Sequence, residues 1–425
     1  MSVPSRHRPA LAAALLALLC IALPAAAAEA IDAAILPPTA AVARVLQAQP
    51  ALQAAASQLR AEEANRRRLE AGPYEWALRL GGQQRLTRPP AAVEERFTEW
   101  NAALERPLRL PGKAGADAEI GAAGVALAEI AQQDMRHETS RALLAGWFAW
   151  LRERAGAEQW AAQVALLERQ AAAVGRRQQL GDAARIETVQ AEAALAQARA
   201  QRVQARTRAQ VAAEDLRRRF PGLPVDATTI VPDPAPVDGS EDDWIARLLA
   251  HNHELGVARS ETSRQHALAS RAGHERTPDP SVGVQVARER GGEDRLVGAF
   301  VSIPLPGAAR AASADAALAQ ADAAHRREAA VLQRITAEAA ALYRNATAAT
   351  ETWRSLRDAA TRLDAAATMT ARAYQLGEGS LNDVLLTRRQ AHEATLAATT
   401  AQLDALELGY RLQLDAHALW DLDEE

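Results

Sequence analysis

Few side chains in this sequence are spaced to do chemistry. Two carboxylates stand out, Asp383 and Glu187, each six residues after a Gln-Leu-Gly run, Gln375-Leu376-Gly377 and Gln179-Leu180-Gly181. Asp383 also lies three residues after Ser380, the spacing of a capping box, so helix capping alone accounts for it. Glu187 has only Asp182 or Ala184 as cap candidates. His251 and His253 in "LLAHNHELG" invite a metal reading, but residues two apart on a helix point to different sides and no carboxylates cluster beside them. They read as surface histidines, and no metal site is expected. "RLPGK" and "PLPG" lack the glycine spacing of a phosphate loop. With no Ser-His-Asp grouping and no paired carboxylates in a plausible cleft, catalysis has no candidate residues and no cofactor is implied.

The elements that must hold the two carboxylates are tight turns between helices. Gly377 and Gly379 end an Ala-rich helix and Ser380 starts the next; the same arrangement precedes Glu187, with Leu180, Gly181 and Glu187 each 196 positions before Leu376, Gly377 and Asp383. Leu110-Pro111-Gly112 faces Leu305-Pro306-Gly307 at an offset only one residue different. The chain therefore reads as two tandem copies of one unit.

Composition supports long helices. The 425 residues are 48% hydrophobic but only 4% aromatic, with alanine supplying much of the apolar count. A net charge of -4 gives no basic field for nucleic acid. At the N-terminus, Arg6 and Arg8 precede an apolar stretch from Ala10 to Leu23 and small residues before Glu29, a secretory signal peptide pattern that places the mature start near Glu29. Cys20, the only cysteine, follows Leu19 where a lipoprotein site wants a small residue, so lipidation is not expected. Signal removal would leave no thiol for disulfides, metal or nucleophilic chemistry. No other segment has the run of apolar residues that a spanning helix requires, so a membrane role must use strands.

Along the chain, 1–28 is signal peptide and 29–72 is helical with a break at Pro50. Region 73–112 alternates in "GPYEWALRLGGQQR" and "FTEWNAALERPLRL", a strand pair. A helical hairpin at 113–219 has a first arm from Ala114 to Leu180, on the order of 100 Å long at about 1.5 Å per residue. The Pro-rich 220–240 is a connection. The plan then repeats: one helix from Glu241 to Arg271 within 241–278, a strand pair in 279–307, and a hairpin in 308–425 whose last helix runs to Asp421.

Strands "DPSVGVQVARER" and "DRLVGAFVSIPLP" have the length and alternation of transmembrane barrel strands, with Val297, Ala299, Val301 and Ile303 toward lipid and Gly298, Phe300 and Ser302 inward. Patterning alone fits an ordinary sheet on helices equally well. Tyr74, Trp76, Phe97 and Trp100 suit a membrane interface; the second pair offers only Phe300. Four strands cannot close a barrel and open edges are not tolerated in lipid, so several copies would have to pool strands. The long helices likewise need antiparallel partners to bury their apolar stripes.

At this level the sequence resembles the TolC family of outer-membrane efflux proteins. The likeness covers the signal peptide, the duplication, the strand pairs ending in Leu-Pro-Gly and both Gln-Leu-Gly turns, and is most specific from Tyr374 through Asp383-Val384-Leu385. It implies a fold that is mainly α with a membrane β-barrel: duplicated long helical hairpins plus two strand pairs per chain, assembled as a homotrimer with a twelve-stranded barrel on a twelve-helix periplasmic tunnel. An equatorial belt would come from the N-terminus, 220–240 and the C-terminus. The implied function is an outer-membrane exit duct of a Gram-negative tripartite efflux system, extending into the periplasm and working with a periplasmic adaptor (membrane fusion protein) and an inner-membrane transporter of RND type. By the same resemblance Leu180, Gly181, Leu376 and Gly377 face the adaptor, Asp383 and Glu187 are pore carboxylates, and Tyr374 ties neighbouring coils together. Three copies of Asp383 would form a like-charged ring that concentrates cations. Leu386 stands where some members carry a second carboxylate, and Gly379 where some carry an arginine, so a double ring and an arginine-based closing salt bridge are not carried over. "RERGG" and "SIPLPG" are similar to the CzcC-like metal-efflux branch, against drug efflux or type I protein secretion. The competing class is a periplasmic helical adaptor, which would need one hairpin flanked by β domains rather than two hairpins alternating with strand pairs, or a structural coiled-coil protein, against which the strand pairs and signal peptide argue.

Overall fold

The structure, a computed structural model, describes residues 35–88, 93–225 and 231–420; the expected signal peptide and the mature start lie outside them. The elements in order are α1 (Thr39–Gln47), α2 (Pro50–Ala71), β1 (Ala77–Thr87), β2 (Glu95–Pro107), α3 (Lys113–Gln179), α4 (Arg185–Arg219), α5 (Glu241–Ala250), α6 (His253–Glu275), β3 (Ser281–Glu289), β4 (Asp294–Ser302), α7 (Ala308–Gln375) and α8 (Leu381–Asp415). The duplication is metrical: α3 and α7 have 67 and 68 residues, and α4 and α8 have 35 each. None of these helices is long and apolar enough to cross a membrane.

Two boundaries differ from the sequence reading. The helix expected from Glu241 to Arg271 is two helices, because the Asn252 side chain accepts a hydrogen bond from the Leu255 N–H at 2.8 Å and caps a fresh helix start. The last helix stops at Asp415 rather than Asp421. There His417 adopts φ +57° and the Ala418 N–H donates to the Gln413 carbonyl at 2.8 Å, a helix stop made without glycine.

The chain forms two compact units. The unit built from Glu138–Leu248, the residues from Ala339 onward and the N-terminal residues up to Gln49 is packed along alanine seams. In α7, Ala339, Ala346, Trp353, Ala360, Ala367 and Tyr374 are buried at every seventh position, as are Val384, Ala391, Ala398, Ala405 and Leu412 in α8. A strict seven-residue repeat keeps one stripe on the seam, and the small methyl side chains let neighbouring backbones come close. An aromatic layer interrupts the alanines: Trp147 is 1% exposed, its Nε1–H donates to the Ile35 carbonyl at 2.8 Å, and its ring lies 4.8 Å from that of Trp150.

The other unit, Pro50–His137 and Leu249–Glu338, carries a four-stranded antiparallel sheet in the order β1-β2-β3-β4. Its register sorts residues by face, with Phe97, Leu296 and Phe300 among a mainly polar set and Gln84, Arg106, Arg288 and Arg295 among a mainly apolar one. One face carries Gln83, Arg85, Glu99, Asn101, Gln285 and Glu289. There Glu99 is buried and accepts from Gln83 Nε2 at 2.8 Å, Arg85 Nε at 2.9 Å and the Arg290 N–H at 3.2 Å. The opposite face carries Leu78, Leu80, Leu104, Val284, Val286, Val297 and Val301, all of them exposed. Within β4 the expected alternation is observed, with Val297, Ala299 and Val301 on this face and Gly298, Phe300 and Ser302 on the other; Ile303 lies beyond the strand.

Where the strands meet the helices, Lys113 is 1% exposed with its Nζ 3.0 Å from Asp279 and 3.3 Å from Glu275. The Tyr74 hydroxyl and the Leu110 N–H also donate to Asp279, at 2.9 and 3.0 Å. Burial alone would raise the Asp279 carboxyl, but the Leu110 N–H, Lys113 and Tyr74 outweigh it and hold its pKa below the ordinary value. The Leu-Pro-Gly turn of the first copy is thereby tied to the segment that opens β3.

Candidate functional site: the two tip turns

Both turns that carry the sequence-selected residues have the same backbone. At the first, the Gly181 N–H donates to the Gln178 carbonyl at 3.0 Å and the Asp182 N–H reaches back to Arg177 at 2.8 Å. At the second, the Gly377 N–H donates to Tyr374 at 3.1 Å and the Glu378 N–H to Ala373 at 3.0 Å. This is a Schellman stop, and both Gly181 and Gly377 sit at φ +84°. A Cβ at either glycine would meet nothing within 4 Å, so the backbone conformation requires the glycine, not crowding.

The side chains then diverge. Ser380 Oγ accepts from the Asp383 N–H at 3.2 Å and donates to Asp383 Oδ2 at 2.7 Å, so the serine cap read from the spacing is present, with the return bond made by the hydroxyl. At the first turn Ala184 offers no side-chain cap. Glu187 instead accepts a hydrogen bond from the Tyr374 hydroxyl at 2.5 Å, and the Arg177 guanidinium lies over the Tyr374 ring at 4.9 Å. Tyr374 is packed among Val174, Ala191, Ala371, Leu381 and Val384. Burial, then the bond to Glu187, pushes its pKa from 10.0 up to about 12. A neutral phenol is thus locked as the donor to a carboxylate at neutral pH.

The structure therefore brings Tyr374 and Glu187 together and leaves Asp383 with Ser380 in the second turn. Leu180 and Leu376 are 77% and 60% exposed at the apices. Ile186 and Val189, on the first turns of α4, are also exposed. Arg177 was not singled out by sequence reasoning: it is one of two adjacent arginines, and the matching position in the second copy is Ala373. Leu386 is partly exposed at 40%, and Gly379 packs against the Tyr374 backbone. His251 lies in the break before α6, and His253 is the first residue of that helix. On α3, α4 and α8, Trp160, Leu167, Gln197, Leu385 and His392 line a cavity of about 490 Å³. The His392 ring meets Trp160 edge-on at 4.3 Å, and burial holds its pKa below the usual histidine value.

No protein-family model matches the sequence, and no curated protein matches it. Solved structures do. The outer-membrane channel OprN superposes with a TM-score of 0.74 at 18% identity, over 90% of both chains. VceC, an outer membrane protein of Vibrio cholerae, gives 0.72 at 17% identity, over 88% of this chain and 95% of its own. The chain has the TolC-family fold. The CmeC outer membrane channel of Campylobacter jejuni adds a TM-score of 0.72 at 13% identity, over 90% of this chain and 84% of that one. A TolC-family fold at this identity retains the architecture while most side chains have changed, which is why the tip contacts above must be read from this chain's own residues.

Proposed function

We propose that the protein is the outer-membrane exit duct of a tripartite efflux system in a Gram-negative bacterium, passively conducting substrate from an inner-membrane pump and a periplasmic adaptor to the exterior. The observation that carries this reading is the sheet: one face is mainly polar and internally bonded, the other is mainly apolar and bare, and both edge strands are unpaired among the described residues in a chain whose fold is that of outer-membrane channels. Apolar surface of that extent beside unpaired strand edges is satisfied by lipid once copies pool their strands. Three copies of four strands close a barrel of twelve, and the α3–α4 and α7–α8 hairpins of three copies make a tunnel of twelve helices. Fold relatives that are channels support a transporting rather than catalytic role.

In the duct, Leu180, Gly181, Leu376 and Gly377 face the adaptor, for which the exposed leucines at both apices supply apolar contact. Tyr374 and Glu187 tie the first hairpin to the second within each chain, and Asp383 lines the pore as a ring of carboxylates. The pump is of RND type on this reading. The proposed cargo is heavy-metal cations, with drugs or secreted proteins as the alternatives. A periplasmic adaptor is disfavoured because one continuous sheet is joined to two long hairpins rather than one. Single-channel conductance of the purified mature protein in a planar bilayer tests the reading, comparing wild type with Asp383→Ala. Stable channels whose cation preference falls in the variant support it. Absence of insertion removes the duct, and indifference to the substitution leaves Asp383 as a helix cap.

A further inference from the structure

One row of the sheet's apolar face departs from its neighbours. Gly82, Trp100, Arg288 and Arg295 stand side by side across all four strands. The two rows nearer the helices are Leu80, Ala102, Val286 and Val297, then Leu78, Leu104, Val284 and Ala299. Two arginines thus sit directly opposite each other beyond the two apolar rows, toward the strand ends that are joined by the short Arg290–Gly292 turn and away from the helices. Both are exposed, and the Arg288 guanidinium lies over Gly292.

Like charges directly opposite on one face of a sheet repel. Other arginines of the sheet and its turns have answered that problem: Arg79 pairs with Glu105, Arg85 with Glu99 and Glu289, Arg88 and Arg96 with Glu94, and Arg290 with Asp294. Arg106, on the apolar face at the helix end, donates to the Tyr74 carbonyl and stacks over Trp76. Arg288 and Arg295 have no hydrogen bond or ion pair among the described residues. Strand pooling does not supply one either, because β1, the edge that would meet β4 of the next copy, contains no acidic residue (ALRLGGQQRLT). That leaves the medium covering this face as the source of an anion that neither the sheet nor the facing strand edge provides.

We propose that Arg288 and Arg295, flanked by Trp100, seat the phosphate of a phosphorylated lipid headgroup in the outer leaflet. The inference rests on the duct reading, which puts this face in lipid with the hairpin ends outward. Paired guanidiniums offer bidentate donors to phosphate oxygens, and Trp100 stands beside them at the level where amphipathic aromatics settle between acyl chains and headgroups. Two arginines at a lipid surface strengthen binding by roughly tenfold or more.

The test is native mass spectrometry of the full protein in detergent, titrated with diphosphoryl lipid A, its dephosphorylated form, or inorganic phosphate. Wild type is expected to retain the diphosphoryl lipid at least about tenfold better than the dephosphorylated one. The R288Q/R295Q variant should lose that preference, R288K/R295K should keep part of it, and free phosphate should not compete at matched concentration. Equal retention of the two lipids by wild type overturns the proposal without any variant, as does undiminished preference in R288Q/R295Q or competition by free phosphate. Wild-type channels in bilayers without lipid preference refute this seat alone, whereas failure to insert in any bilayer refutes the duct and the seat together.

Discussion

The two tip turns share a backbone and differ in what holds it. Gly181 and Gly377 have the same φ, and the same Schellman bonds recur in both copies. Yet the second turn carries its own cap: Ser380 caps α8 through Asp383, and Leu381 and Val384 in its first turn are buried at 2% and 0% exposure, packed with Val174 and Ala191 of the first hairpin. The first turn has no cap, its helix opens with exposed Arg185 and Ile186, and Glu187 reaches to the other hairpin's Tyr374. Duplication preserved the geometry while packing was reassigned. Both turns are bonded within their own hairpins, the first through Arg177 to the Asp182 carbonyl and Thr188 to Gln178, each at 3.1 Å, but only the first adds a side-chain hydrogen bond to the other hairpin.

The contrast is sharpest in packing. Leu381→Ala should destabilise by about 2 to 5 kcal/mol, because it empties a buried site, while Arg185→Ala at the matching position should stay within about 0.5 kcal/mol. Denaturant unfolding of the detergent-solubilised protein measures both, and equal losses would erase the distinction between the turns.

Next in size is the bond between hairpins. Tyr374→Phe and Glu187→Gln should each cost about 1.5 to 3 kcal/mol, and the double variant little more than the larger single one, as a double-mutant cycle would reveal. Additive losses would mean the two side chains act separately. The tyrosine's raised pKa gives a second readout. A group raised from 10.0 to about 12 contributes stability fully below the lower value and loses it as pH rises through the higher one. Phenolate absorbance of Tyr374 should therefore appear near the higher value in wild type, and at lower pH in Glu187→Gln.

The shared backbone predicts equality. Gly181→Ala and Gly377→Ala should each cost about 1 to 2 kcal/mol through left-handed strain alone, since neither added methyl meets a neighbour. Unequal melting shifts would show that one turn relaxes. Smallest is the cap: Ser380→Ala should cost about 1 kcal/mol, and Ala184→Ser should return up to about that amount to the first turn by giving it the missing oxygen. No gain in the thermal midpoint of Ala184→Ser would mean that Glu187 and Tyr374 already fix that helix start.

Much of the architecture could be read from residue order because its signals are local. Alternation placed Val297, Val301 and Phe300 on their faces, and Gly-Ser at 379–380 marked a stop and a start. The breaks that escaped notice use residues that do not advertise a break: Asn252 caps α6 with no glycine or proline beside it, and His417 takes a left-handed conformation usually left to glycine. The site was half legible. Ser380 and Asp383 are three residues apart, so spacing betrays their bond. Tyr374 and Glu187 are 187 positions apart, and only the packing of α7 against α4 brings them together. Arg177 over the Tyr374 ring belongs to that same packing and has no counterpart in the second copy.

The open sheet has a consequence for how the protein must be made. On the duct reading, the two unpaired strand edges and the bare apolar face are covered only when copies meet and enter lipid, so the folded state would be set by mass action. Its apparent melting point should then climb with protomer concentration, and a copy on its own would be an aggregation hazard until it meets others like itself. Dilution, rather than heat, would then be the gentlest way to take it apart.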